Sequence, residues 1–129
     1  MIDVCTACHQ QRFVDNFFVQ YEALIDLYDS KYATPGEALY KASVAVLKTD
    51  PSYVKFSEPI DFTWFELWHH EGRRARHAAA MMAPDYTHWH GTYDLAKTWM
   101  TKFVPEIKEI IERFEDEPEA KEHVEALAK

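Results

Sequence analysis

Cys5-Thr6-Ala7-Cys8-His9 stands near the start of a chain of 129 residues. Two thiols three positions apart, followed at once by an imidazole, form the C-x-x-C-H pattern of c-type haem attachment. Each thiol can make a thioether to one haem vinyl group, and the next residue is then held under the iron as proximal ligand. The chain has only 2 cysteines, so the motif uses every thiol. Other chemistries for the same residues are weaker. A thioredoxin-like C-x-x-C needs a βαβ context, which the sequence does not offer. Zinc needs four ligands, and Cys5, Cys8 and His9 supply at most three locally. A Cys5–Cys8 disulfide is the remaining alternative.

Histidines are the second signal. His69, His70, His77, His88 and His90 crowd into one stretch. A bis-imidazole haem needs one distal histidine besides His9, so His90, His77 and His70 are candidate distal ligands for this haem or neighbouring ones. His70 and His77 are seven apart and share a helix face. Tyr86 and His90, four apart, also share one, whereas His88 points elsewhere and reads as a solvent-facing or supporting residue. Arg73, Arg74 and Arg76 are candidate partners for haem propionates, which suit the guanidinium fork. The alternative for them is a solvated basic face. Met81 and Met82 read as packing rather than axial sulfur.

These residues need a scaffold, and composition bounds it. Hydrophobic residues make up 47%, which excludes a disordered tail, and 15% are aromatic, enough for a dense core or for walls around a flat cofactor. Only 3 Gly argue against phosphate-cradling loops. A net charge of −8 argues against a nucleic-acid partner. No apolar run is long enough to span a bilayer.

The pattern predicts an all-α fold without convincing strands. Phe13, Phe17, Tyr21, Leu24 and Tyr28 form one helical face, predicting a first helix over about 9–32. Thr34-Pro35 reads as the start of a second, ending near Lys48. A loop follows at about 49–60, with a short extended piece at Tyr53–Phe56. Asp61 or Thr63 caps a third helix that runs on to Met82 through Gly72. Pro84 breaks the chain at Ala83 and starts a fourth, which Pro105 kinks or splits. Residues 1–117 read as a single helical haem-binding segment and 118–129 as a polar, frayed tail. The segments 9–32 and 84–113 are expected to pack antiparallel. The 61–90 surface is expected to stay apolar and exposed.

Two longer stretches resemble a known family. Trp64-Phe65-Glu66-Leu67-Trp68-His69-His70-Glu71-Gly72-Arg73-Arg74-Ala75-Arg76-His77 is similar to the C-terminal region of octahaem hydroxylamine oxidoreductases, to which hydrazine dehydrogenases also belong. So is Met81-Met82-Ala83-Pro84-Asp85-Tyr86-Thr87-His88-Trp89-His90-Gly91, followed by Tyr93-Asp94. The resemblance covers about residues 4–113. It implies a helical multihaem protein with eight c-type haems, seven relaying electrons and one catalytic. It also implies a homotrimer in which a tyrosine, matched here by Tyr86, bonds to the catalytic haem of a neighbouring subunit. This chain holds one C-x-x-C-H motif where the family carries eight, so alone it is not the oxidoreductase.

The expectation is therefore an electron-transfer segment that completes a multihaem chain or companion subunit and serves a small redox partner. The compartment would be periplasmic or equivalent. Met1-Ile2-Asp3-Val4 lacks the basic start and apolar stretch of a secretory signal. With the motif so early, the chain reads as a piece of a longer protein or a shortened gene product. The alternatives are an independent single-haem cytochrome and a haem-free interaction or assembly module.

Overall fold

The computed structural model describes residues 2–128, and among them every regular element is helical. A short helix α1 (Ile2–Thr6) precedes three rods. Rod α2 covers 11–47, α3 covers 59–80 and α4 covers 84–114; helix α5 (Lys121–Leu127) closes the fold. The core lies where the second half of α2, the first half of α3, α4 from Leu95 onward, and α5 converge. Leu47, Ile60, Leu67, Leu95 and Phe103 are its most enclosed large side chains. Each fully buried side chain of this kind contributes about 1.5–3 kcal/mol.

The prolines do not break the rods as expected. A π-helical turn, Asp29–Ala33, joins Gln11–Tyr28 to Thr34–Leu47 without interruption. Thr34 therefore caps nothing: its amide bonds the Asp29 carbonyl. The wider turn relieves the clash between the Pro35 ring and the carbonyl four residues earlier, and absorbs the missing N–H. Likewise Trp99–Phe103 is π-helical ahead of Pro105, and Val104 donates to the Trp99 carbonyl, so α4 is not split. Two further π turns, Glu66–Glu71 and Thr87–Tyr93, carry four of the clustered histidines: His69, His70, His88 and His90.

The break at Ala83 falls as expected. Rod α3 ends in a Schellman turn, with Ala83 N–H bonding the Ala78 carbonyl at 2.9 Å and Met82 N–H the Ala79 carbonyl at 3.0 Å. Met82 occupies the left-handed position at φ 55°, which glycine usually takes. Rods α3 and α4 then return side by side. At Gly91 they come so close that an added Cβ would lie 2.6 Å from the Ala75 Cα, which is backbone and cannot step aside. Gly91→Ala should cost about 1–3 kcal/mol by wedging the pair apart, read as a lower urea midpoint.

Three other expectations are corrected. The antiparallel partner of the first helical stretch is Gly72–Ala80 of α3, not 84–113, because the α3–α4 hairpin interposes that segment. Rod α3 starts at Pro59 with no side-chain cap, so neither Asp61 nor Thr63 caps it. The tail does not fray: Ala120, Val124 and Leu127 recur at helical spacing and are buried in the core.

Asp61 instead ties down the 48–58 loop, which contains turns but no strand at Tyr53–Phe56. Although 1% exposed, its carboxylate accepts from the Tyr40 hydroxyl at 2.6 Å, the Tyr53 hydroxyl at 3.0 Å and the Phe56 amide at 3.0 Å. Burial and the bond to Asp61 push the Tyr53 phenol up to about 12, and raise Tyr40 as well.

Two glutamate–threonine bonds cross the α3–α4 hairpin: Thr98 to Glu71 at 2.6 Å and Thr63 to Glu106 at 2.9 Å. The second oxygen of each carboxyl is buried without a partner. Burial raises both carboxyls above their ordinary range. A raised carboxyl favours the fold while protonated, and that contribution disappears as pH rises through its folded value. Glu106→Gln should therefore raise the melting temperature at pH 8, and its advantage should shrink as pH falls toward 4.5.

Candidate functional site

The first half of α2 stands beside the hairpin like an arm. Between Gln11 and Leu27 only Val14 is buried, while Phe13 is 58% and Val19 63% exposed. The C-x-x-C-H motif sits at the foot of this arm. Cys8 and His9 amides both bond the Cys5 carbonyl, at 3.2 and 2.9 Å, which closes a tight turn between α1 and α2. Cys5 is half-buried, Cys8 is exposed, and both are free thiols. The exposed His9 ring stacks on Phe13 with centroids 4.8 Å apart.

Along the arm runs an apolar groove of about 470 Å³. Phe13, Phe17, Tyr21 and Leu24 form one wall, and the α3–α4 turn with Met82 and His88 forms the other. His88, exposed, leaves the face that Tyr86 and His90 share, as its spacing predicts, and is the clustered histidine on this groove. The strained Met82 also lines the groove, as strained backbone tends to do at ligand sites.

The other predicted residues lie apart from it. Tyr86 and His90 share a face, with ring centroids 4.9 Å apart, and both are exposed. His90 Nδ1 lies 3.7 Å from Asp94. Next to Tyr86, a shallow pocket of about 330 Å³ gathers Arg73, Arg74 and His77. Arg76 is different: its guanidinium lies 5.1 Å over the Tyr28 ring and its Nε donates to the Gly72 carbonyl at 3.3 Å. His70 is exposed beside Phe65. His69 stacks on that same ring at 4.5 Å, and its Nδ1 is buried without a partner. Desolvation, then Arg73 and His70, lower its pKa below the ordinary imidazole range. Among the described residues no three His, Cys, Asp or Glu side chains converge as a cage for a metal ion, and no helix is long and apolar enough to cross a membrane.

The donor set suits a covalent haem. Two accessible thiols and an imidazole occupy one turn, and an aromatic groove of ligand-pocket size begins one helical turn beyond them. No protein-family model matches the chain, nor does any curated protein or solved structure.

Proposed function

We propose that the chain is a c-type haem-bearing electron-transfer segment of a multihaem protein resembling hydroxylamine or hydrazine oxidoreductases. The observation that carries this reading is Cys5–His9 at the foot of an aromatic arm that the rest of the chain leaves largely uncovered. Cys5 and Cys8 hold the haem covalently and His9 is its proximal ligand. The bound haem supplies one-electron redox chemistry. The arm's phenyl rings exclude water from one side of the groove, and His88 offers an imidazole from the other. His70, His77 and His90 then serve neighbouring haems, for which their exposure is suited. Arg73 and Arg74, without carboxylate partners among the described residues, are free to meet anionic groups.

The companion is the remainder of a multihaem assembly. Its support is apolar surface on the α3–α4 side as well: Trp68, Met81, Trp89 and Met100 are 42%, 79%, 51% and 66% exposed. Faces of this kind mark surfaces built to be covered. Tyr86, exposed beside His90 and the arginines, is the residue proposed to bond a neighbour's catalytic haem in a trimer. In the full assembly, Tyr86→Phe should abolish the covalent inter-subunit link on a denaturing gel while leaving the haem count unchanged. Intact cross-linking and turnover would return Tyr86 to an ordinary aromatic. An extracytoplasmic compartment follows from the maturation that c-type haem needs. An isolated chain that stays monomeric at high concentration with one haem would favour the single-haem carrier instead.

A further inference from the structure

A second cleft, away from the cysteines, opens where the π turn of α2 faces the first half of α3 and the 48–58 loop. Its volume is about 480 Å³, within the range of small-molecule sites. Tyr28, Tyr40, Trp64 and Trp68 line it, and Tyr40 and Trp64 are stacked at 5.7 Å. Phe56, at its edge, holds a left-handed φ of 68°. An aromatic side chain adopts that conformation at a cost, and such strain gathers at ligand clamps.

The charges in the cleft are unequal in what they have left to do. Asp61 is committed to two phenols and an amide. Glu37 is paired with Lys41 at 2.6 Å. That leaves one carboxylate, Asp29, against two cations, Lys55 and Arg76. Neither cation has a carboxylate within ion-pairing distance among the described residues. Each rests on a ring instead, Lys55 at 5.5 Å over Phe56 and Arg76 at 5.1 Å over Tyr28. Those contacts are weaker than a desolvated ion pair, so both cations can turn to an incoming anion.

We propose that this cleft binds a small planar aromatic carboxylate, its rings between the aromatic walls and its carboxylate on Lys55 and Arg76. The site does not depend on haem at Cys5 and Cys8. The test uses the full chain and three probes of one shape: anthracene-2-carboxylate, its neutral carboxamide, and the cationic anthracene-2-methylammonium. Tryptophan quenching and calorimetry give the dissociation constants. The acid should bind about tenfold more tightly than the amide, as expected for a lost charged contact, and more tightly still than the cation. Lys55→Glu, at an exposed position, should remove that preference, and Arg76→Gln should weaken it. Phe17→Ala, in the wall of the separate groove beside the arm, should leave the affinities of these three probes as they are. Equal affinity for the three probes would overturn the proposal, as would sensitivity to Phe17→Ala in place of Lys55→Glu. Displacement of the bound anthracene acid by a lower concentration of protoporphyrin IX, kept in Phe17→Ala and lost in Lys55→Glu, would overturn the assignment to a small acid.

Discussion

Replacing both Cys5 and Cys8 by serine should remove all covalently bound haem from a chain matured alongside cytochrome c assembly machinery, while leaving the helical fold in place. The two parts of this result have separate causes. A hydroxyl forms no thioether under the conditions in which a thiol adds to a vinyl group, so attachment is lost outright. The fold survives because neither cysteine belongs to the core: Cys8 is exposed, Cys5 is half-buried, and helix α1 has no buried residue. A single Cys8→Ser change should leave one thioether through Cys5 and a shifted absorption maximum, because one vinyl group then stays conjugated with the ring. The pyridine haemochrome spectrum reads both outcomes. Loss of far-ultraviolet helical signal in the double variant would mean that the motif also holds the scaffold.

The second large effect falls on stability. Asp61→Ala should cost about 3 kcal/mol, or roughly 10 °C in melting temperature. It strands the Tyr40 and Tyr53 hydroxyls and the Phe56 amide at once, and leaves a hole beneath the second cleft. Asp61→Asn keeps an acceptor oxygen and should cost clearly less. The Tyr53 phenol, held up near 12 by burial and by this carboxylate, should titrate closer to its ordinary value in the alanine variant, measured by ultraviolet difference spectroscopy. A melting temperature unchanged by Asp61→Ala would contradict the role given to this network.

Some of this architecture was legible in the sequence for physical reasons. The stripe Phe13, Phe17, Tyr21, Leu24 has a helical period whatever packs against it, and Pro84 disfavours helix at Ala83 in any context. The continuity of the rods through Pro35 and Pro105 was not legible, because a proline costs a helix less when a π turn precedes it, and no local pattern marks that turn. The tail misled because its apolar residues, Val124 and Leu127, are few and sit among charges; only packing against the second half of α2 and the end of α4 makes them core.

The candidate site divides the same way. Cys5, Cys8 and His9 are contiguous, so their chemistry is written in the sequence. Spacing separates His88 from the face of Tyr86 and His90, but not until the first helical stretch is in place does the face of His88 meet an aromatic wall. Asp61 was taken for a cap because its hydroxyl partners, Tyr40 and Tyr53, lie in other elements. The aromatic abundance did hint at ring-lined cavities, without saying that there would be one beside the motif and another across the fold.

The central claim is a haem joined to this chain through both cysteines. Mass spectrometry of the N-terminal tryptic peptide ending at Arg12, after export with competent cytochrome c maturation, tests it most directly. That peptide should carry one haem, bound through Cys5 and Cys8, with neither thiol open to alkylation. An unmodified peptide whose two thiols alkylate freely, or whose cysteines are joined as a disulfide, would contradict it.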